Sequence, residues 1–392
     1  MLRDKGIVVC VGPGGVGKTT TAAALGALQA RQGRRTLVAT IDPAPRLADA
    51  LGVGTLSGEP RPVGAEACRT LGIAEEGLLW AVRLDTQRAF AALVEEQVTD
   101  QAMRKRIFAN TIYRQITTTL SGSQEYAATL ALYDLARRKQ FDLIVLDTPP
   151  TANALEFLEA PRRIAEAVAS PALQWFARPP ERSGFSLQRL RSGGAMVLRR
   201  MGKFVGSQFL DDIGAFLVDF NQVLGGFQAR AQEIDKLLRS SSVAFLLVLA
   251  PERAAIEEAL YFQGRLRAAG IPLGGFIANR VHPAPGICDA ATLLQRLAAQ
   301  PGLAHWPAED IALTAERLAG VAERAQALCT AERTELDHLA RQVPGVPVTE
   351  IPLLDHDIEN LAELRIIGDT LAGAPPPGVR RTGTMGIVPG GG

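Results

Sequence analysis

The chain has 392 residues, of which 47% are hydrophobic and 5% aromatic, a composition typical of a large α/β domain that can bury a continuous core. Its 42 Lys and Arg residues balance 41 Asp and Glu residues, so the net charge of +1 gives no overall attraction to nucleic acid or anionic lipid. The four cysteines are widely separated and form no C-x-x-C pair, which argues against both a disulfide framework and a zinc site.

The first predicted elements are a strand at 7–11, a glycine-rich loop and an Ala-rich helix. The loop matches the pattern G-x-x-x-x-G-K-[ST], and a chance glycine-rich turn is the alternative interpretation. Backbone N–H groups of such a loop close around phosphate oxygens, Lys18 can reach the β- and γ-phosphates, and the Thr19 hydroxyl can ligate Mg²⁺. The loop therefore predicts a nucleoside triphosphate site whose binding residues are Gly12, Gly14, Gly15, Val16, Gly17, Lys18, Thr19 and Thr20.

Further β-rich runs alternate with helical patterns along the chain. The predicted strands cover 36–41, 78–84, 142–146, 243–249, 273–278 and 347–351. This alternation predicts an α/β fold with a doubly wound, mostly parallel sheet. Runs such as Leu143-Ile144-Val145-Leu146 are apolar at every position, as expected for strands that helices cover on both faces. Ligands of such sheets bind at the carboxyl ends of the strands, where the phosphate loop lies.

Two acidic residues follow predicted strands and are expected beside the loop. Asp147 ends the strand at 142–146, where an acid can hold Mg²⁺ directly or through water. Asp42 follows the strand at 36–41 and could orient an attacking water molecule and accept its proton. The alternative for each is a helix cap, which is a common role of Asp at strand-to-helix turns.

These motifs resemble the ArsA-type ATPases, a P-loop family with a deviant Walker A motif that includes the arsenite-pump ATPase and the targeting factor for tail-anchored membrane proteins. The resemblance covers residues 6–370, and it also rests on Pro251-Glu252 after one strand and Asn279 at the end of another. It implies ATP and Mg²⁺ as ligands, Asp42 with Lys18 as catalytic residues, and Asn279 as the reader of the adenine edge. It also implies an ATP-gated dimer whose helical regions change shape with the nucleotide.

The sequence departs from the family pattern in three places. Pro13 stands where the family has its signature lysine, so an arginine acting in trans could replace that charge. Arg46 is the candidate, and the alternative is an ordinary solvated charge on a helix. The zinc-binding C-x-x-C of the targeting factors is absent, and no cysteine lies between Cys68 and Cys288, so we expect no zinc site and no arsenite transport.

The predicted domain organisation is a P-loop ATPase core with one insertion. The core covers 1–161 and 241–372, a helical insert covers 162–240, and a Pro/Gly-rich tail at 373–392 is expected to be disordered. Apolar and basic residues are interleaved at 196–205, a pattern that suits an acidic membrane surface or a client protein. An apolar stripe at 209–227 fits either the core or a client groove.

The sequence therefore predicts a Mg²⁺-dependent ATPase that forms a homodimer, or a heterodimer with a paralogue, and switches a helical partner-binding surface. Two alternatives remain open: a partitioning-type ATPase that binds membrane or DNA in its ATP state, and a metabolic phosphotransferase. The strongest apolar runs fall far short of the 18 or so residues of a membrane span, and there is no clear nucleic-acid signal. We expect a cytoplasmic protein, with recruitment to a membrane surface left open.

Overall fold

One eight-stranded sheet organises the part of the chain that the structure describes. The structure is a computed structural model, and it describes residue 2 and residues 4–111, 113–114, 123–149, 151–169, 207–286, 289–354, 358 and 360–374. The strands are β1 (Ile7–Val11), β2 (Thr36–Thr40), β3 (Arg61–Pro62), β4 (Leu79–Arg83), β5 (Leu143–Asp147), β6 (Val243–Leu249), β7 (Leu273–Val281) and β8 (Val348–Pro352).

The sheet has the strand order β3-β4-β2-β5-β1-β6-β7-β8. Every neighbouring pair is parallel except β3 and β4, which are antiparallel. The predicted doubly wound, mostly parallel sheet is thus confirmed, and seven of its strands lie where the β-rich runs place them. Strand β3 was not predicted, because two exposed residues are too few to show a pattern.

Twelve α-helices connect or cover these strands among the described residues. They are α1 (Lys18–Arg31), α2 (Arg46–Ala50), α3 (Ala65–Leu71), α4 (Thr86–Gln97), α5 (Gln101–Ala109), α6 (Ser123–Arg137), α7 (Thr151–Ala169), α8 (Ser207–Leu238), α9 (Arg253–Ala268), α10 (Ala290–Ala298), α11 (Ala308–Gln342) and α12 (Leu361–Leu371). Four of them begin at a side-chain cap, in which an Asp or Asn oxygen accepts an orphan N–H of the first turn. The capping residues are Asp85, Asp100, Asp289 and Asn360.

The sheet separates two apolar layers. Successive side chains of a strand point to opposite faces, so Ile7, Val9 and Val11 of β1 join one core cluster while Val8 and Cys10 join the other. The first cluster includes side chains from α4 to α9 and from α11, and the second includes side chains from α1, α2, α3 and α12. Burial on both faces explains why a central strand such as β6 is apolar at every position.

A glycine lets α1 lie close to the sheet. A Cβ added at Gly26 would lie 2.3 Å from Cγ2 of Val38 in β2, so no side chain fits between this helix and the strand. The approach packs the middle of α1 directly against β2.

The described parts of the predicted helical insert at 162–240 belong to α7 and α8. Residues 170–206, which include the basic and apolar run at 196–205, lie outside the described residues, as do residues 375–392 of the tail. Within the stripe at 209–227, the side chains Val223, Leu224 and Phe227 are buried. The boundaries of the insert stay a prediction. No helix in the described ranges is long and apolar enough to cross a membrane.

A buried arginine ties α8 to two neighbouring helices. Arg230 is 6% exposed, and its guanidinium donates to Glu96 of α4 at 2.7 Å and to Asp134 of α6 at 2.8 Å. The guanidinium also lies over the ring of Tyr133, 4.9 Å from the ring centroid. Several charge-assisted contacts compensate for the desolvation of this cation.

We expect Arg230→Ala to lower the free energy of unfolding by about 2–3 kcal/mol, because it removes a buried cation that pairs with the partly buried Asp134 and with the more exposed Glu96. Chemical denaturation measures the loss. The matched control is Arg239→Ala, which removes a more exposed pair with Asp235 just beyond the end of α8 and should cost less than about 1 kcal/mol. Equal losses in the two variants would contradict a structural role for the Arg230 contacts.

Candidate active site

The glycine-rich loop joins β1 to α1 in a conformation that needs its glycines. Gly15 and Gly17 have φ values of 78° and 88°, in the left-handed region that disfavours other residues. A Cβ added at Gly12 would lie 2.0 Å from the carbonyl oxygen of Val248 in β6. Gly14 and Gly15 are exposed at the turn, while Val16 is buried beneath it. The loop therefore runs against the sheet on one side and opens to solvent on the other.

Lys18 lies under the loop as the first residue of α1. The side chain is 8% exposed, and its Nζ donates to the carbonyl oxygen of Pro13 at 2.7 Å. Burial lowers the pKa of Lys18, and the nearby carboxylate of Asp147 opposes that shift. The Lys18 side chain thus reaches from the start of α1 across the loop to Pro13, where its ammonium group can face phosphate oxygens. Thr19 and Thr20 follow it in the first turn, both partly buried.

Asp147 ends β5 as a buried carboxylate, 2% exposed. Its Oδ2 accepts hydrogen bonds from the hydroxyls of Thr19 at 2.8 Å and Thr40 at 3.1 Å. Burial raises the pKa of Asp147, while the two hydroxyls and then the charge of Lys18 oppose the rise. The next residue, Thr148, donates through its hydroxyl to the carbonyl oxygen of Cys10 at 2.8 Å, which fixes the strand end beside β1.

The residues at this point fit a Mg²⁺ ion. Oδ1 of Asp147 is buried and has no hydrogen-bond partner among the described residues. Hydroxyl and carboxylate oxygens are the hard ligands that Mg²⁺ prefers, and Thr19 and Asp147 bring one of each to the edge of the phosphate loop. No group of three or more His, Cys, Asp or Glu side chains able to hold a metal occurs within the described residues. The expectation of no zinc site stays a prediction.

Asp42 lies just beyond β2, in a tight turn of its own. Its Oδ1 accepts the N–H of Ala44 at 2.9 Å, and its own N–H donates to Oγ1 of Thr40 at 3.2 Å. Thr40 therefore contacts both Asp42 and Asp147. Thr40 was not predicted as a site residue; the available signal was a hydroxyl at the last position of a strand, two residues before an acid.

Arg46 contacts the carboxylate of Asp42 from the start of α2. Its Nη1 lies 3.3 Å from Oδ2 of Asp42, and its side chain is 72% exposed. Both oxygens of Asp42 consequently have a partner within the same chain. An exposed pair at this spacing contributes little to stability, so the guanidinium is readily exchanged to another anion.

Asn279 meets the phosphate loop from the end of β7. Its Nδ2 donates to the carbonyl oxygen of Val16 at 2.8 Å, and its Oδ1 accepts the N–H of Arg280 at 3.0 Å. The side chain is 9% exposed, and a Cβ added at Gly17 would lie 2.3 Å from its Nδ2. The structure thus brings together all the residues that the sequence analysis selected for the site. The contact of Asn279 with the loop is one that the sequence did not reveal.

The chain is similar to one protein family and to several curated proteins. A family model of the anion-transporting ATPases matches residues 5–301. The uncharacterized protein SCO2128 of Streptomyces coelicolor is 35% identical over 176 residues, which are 45% of this chain and 40% of that protein. Protein Rv2184c of Mycobacterium tuberculosis is 29% identical over 314 residues, 78% of this chain and 64% of that protein. The chain thus spans less than two thirds of either relative.

A third relative is named as an enzyme. ATPase GET3 of Malassezia globosa is 24% identical to this chain over 280 residues, which are 71% of this chain and 74% of that protein. The residues that the family model matches, 5–301, include the phosphate loop, Asp42 and Asp147.

We expect Asp147→Asn to raise the free energy of unfolding of the ligand-free protein by roughly 1 kcal/mol near neutral pH, because it removes a buried charge. The same variant should lose the stabilisation that Mg²⁺ with nucleotide gives the wild type. Thermal and chemical denaturation, each with and without Mg-ADP, measure both effects. The control Asp142→Asn alters an exposed carboxylate just before the same strand and should change neither quantity.

The gain in stability should depend on pH. Since the pKa of Asp147 is raised in the folded protein, the folded state binds this proton more readily than the unfolded state. The free energy of unfolding of the wild type therefore falls as the pH rises through the folded pKa. The difference between wild type and Asp147→Asn should be largest at neutral pH and narrow toward the ordinary Asp value of 3.8. A difference that is constant with pH would contradict this assignment.

Proposed function

Because the chain belongs to the family of anion-transporting ATPases, we propose that it is a Mg²⁺-dependent ATPase that works as a dimeric switch. The observation that carries the proposal is the 2.8 Å bond from Thr19 to the buried Asp147, at the edge of a glycine loop that ends in Lys18. This combination of a phosphate cradle, a cation and a pair of hard oxygen ligands suits a triphosphate with its metal. The confirmed family resemblance supports ATP as the nucleotide.

Each residue of the site has a chemical role in this proposal. The loop N–H groups and Lys18 bind the phosphates, with Lys18 exchanging its bond to the Pro13 carbonyl for a stronger one to an anionic oxygen. Thr19 and Asp147 hold Mg²⁺, which supplies neutralisation of phosphate charge when it is bound. Asp42 orients the attacking water once its Oδ2 is released by Arg46. Asn279 reads the adenine edge, as the family resemblance implies.

The dimer and its partner surface are the finer parts of the proposal. The chain pairs with itself or with a paralogue, and the helical segment at 162–240 takes a protein client or a membrane-associated partner. The family resemblance supports this arrangement, together with the long helices α7 and α8 on either side of residues 170–206. A cytoplasmic location, with recruitment to a membrane surface, is proposed on the same basis.

The first test measures the mass in solution and the release of phosphate together, on purified full-length protein with ADP, ATP, and ATP with the Asp42→Asn variant. We expect ATP to tighten a dimer that Asp42→Asn traps, because the variant binds nucleotide but cannot accept the proton of water. Asp142→Asn is again the matched control and should behave as the wild type. A monomer without turnover would overturn the homodimeric switch, and turnover that requires a small acceptor would indicate a phosphotransferase instead.

Arg46 is the proposed replacement for the missing signature lysine, acting across the dimer on the phosphates. We expect Arg46→Ala to lower kcat at least about tenfold with little change in ATP affinity, since a guanidinium that meets transition-state charge is worth far more than one in a surface pair. Arg46→Lys should recover only part of the rate, because an ammonium cannot bind two phosphate oxygens in a fork. Steady-state kinetics with separate binding measurements decide the matter.

The control for Arg46 is Arg88→Ala, which breaks a similarly exposed ion pair with Glu59 and should leave kcat unchanged. Near-normal turnover in Arg46→Ala would end the proposal for this residue. It would then be an ordinary solvated charge on α2.

A further inference from the structure

The carboxyl end of β7 departs from regular strand geometry where it meets the phosphate loop. Its register with β8 shifts between Ala278 and Val281, so that an irregularity falls on Asn279 and Arg280. Arg280 has a φ of 61°, in the left-handed region that a residue with a branched or long side chain adopts only at a cost. Such irregularities re-aim side chains at the ends of strands, and this one turns Asn279 toward the loop.

The bond from Asn279 to the loop has a consequence for phosphate binding. Because the peptide between Val16 and Gly17 is planar and trans, its carbonyl and its N–H point in opposite directions. Asn279 holds the Val16 carbonyl at 2.8 Å on the side of β7. The N–H of Gly17 is thereby directed away from β7. The contact therefore orients one of the donors of the phosphate cradle.

The strained turn is held from its other end by α11. Glu332 of α11 is 6% exposed, and both of its carboxylate oxygens lie against His282: Oε2 accepts the backbone N–H at 2.9 Å, and Oε1 is 2.6 Å from Nδ1. One turn earlier on α11, Cys329 contacts the carbonyl oxygens of His282 and Pro283 at 3.5 and 3.4 Å. A buried carboxylate whose two oxygens both bond to a single residue fixes the position of that residue.

These contacts lie on both sides of Arg280, the residue with the unfavourable left-handed backbone conformation. Arg280 lies between Asn279, which is bonded to the loop, and His282, which is bonded to Glu332; the carbonyl of Val281 also accepts the N–H of Leu353 at 2.8 Å. A residue in a sparsely populated backbone region keeps that conformation only while its surroundings determine it on both sides. Release of His282 would remove one of the restraints on Arg280 and would thereby loosen the bond from Asn279 to Val16.

We propose that Asn279, and Glu332 through His282, are positioning residues that hold the phosphate loop in its binding conformation. The inference rests on the proposed function, since it concerns the affinity of the same loop. It assigns Asn279 a role that is independent of the base, and it makes α11 part of the nucleotide site without contact to the nucleotide.

The test measures binding of Mg²⁺ complexes of inorganic pyrophosphate, ADP and ATP to the full-length protein by titration calorimetry. Asn279→Ala should weaken pyrophosphate binding about tenfold, because it removes the hydrogen bond that orients the cradle, and should weaken ADP and ATP binding at least as much. A residue that only reads adenine would weaken ADP and ATP and leave pyrophosphate unchanged. That result would overturn the inference.

A double-mutant cycle tests the link to α11. Glu332→Ala should weaken pyrophosphate binding about threefold in the wild-type background and hardly at all in the Asn279→Ala background, whereas Glu332→Gln, which can keep both contacts with His282, should bind within twofold of the wild type. Additive losses would contradict a path through Asn279. The control Arg333→Ala removes the neighbouring exposed pair with Glu350 and should change nothing.

Thermal melting of each variant separates this effect from a loss of folding. Should Glu332→Ala fail to fold, His282→Ala replaces it in the cycle, since it removes the ring contact and keeps the backbone bond. A wild type that binds none of the three ligands would overturn the proposed function and this inference with it. Binding of all three without ATP turnover would overturn the hydrolytic function alone.

Discussion

The carboxylate of Asp147 is buried at the carboxyl end of the sheet, where the hydroxyls of Thr19 and Thr40, from different elements, both donate to its Oδ2. The arrangement depends on parallel register: Asp147 is paired with Cys10 of β1 on one side and with Thr40 of β2 on the other. Three strands therefore end at one level, and the phosphate loop, Asp42 and Asp147 must share one edge. Burying this carboxylate is unfavourable, because desolvation raises its pKa, and the stability of the surrounding core compensates for that cost.

The charges of the site are balanced within the chain. Lys18 bonds to the Pro13 carbonyl and Arg46 contacts Asp42, so each cation that the proposed chemistry needs already has a partner. The two partners differ in strength. The exposed pair of Arg46 is screened by water and easily exchanged, whereas Lys18 is buried and gives up only a neutral carbonyl when a phosphate oxygen replaces it. The ligand thus competes with weak internal contacts that keep the groups in place.

The predictable part of this site is the part that local sequence encodes. Short β-rich runs marked seven strands, and the position of Asp42 and Asp147 after two of them followed from strand ends alone. The bridge from Thr40, the pairing of Arg46 with Asp42 and the bond from Asn279 to Val16 were not predictable, because each depends on a rotamer or on register between distant segments. His282 and Glu332 are 50 residues apart, and no periodicity relates a strand end to a buried position on a long helix.

A glycine-rich loop has the conformational freedom to bind phosphate, and that same freedom costs entropy when it is ordered. Here the sheet orders the loop from two sides of β1, through Thr19 to β5 and through Asn279 to β7. The bond at β5 involves Thr19 and Asp147, the two residues proposed to hold the metal, whereas the bond at β7 involves only the cradle. A structural change in α11 or β7 should therefore alter the affinity for phosphate. A change in β2 that moves Thr40 should instead alter the rate of hydrolysis. The parallel sheet keeps these two influences on separate strands.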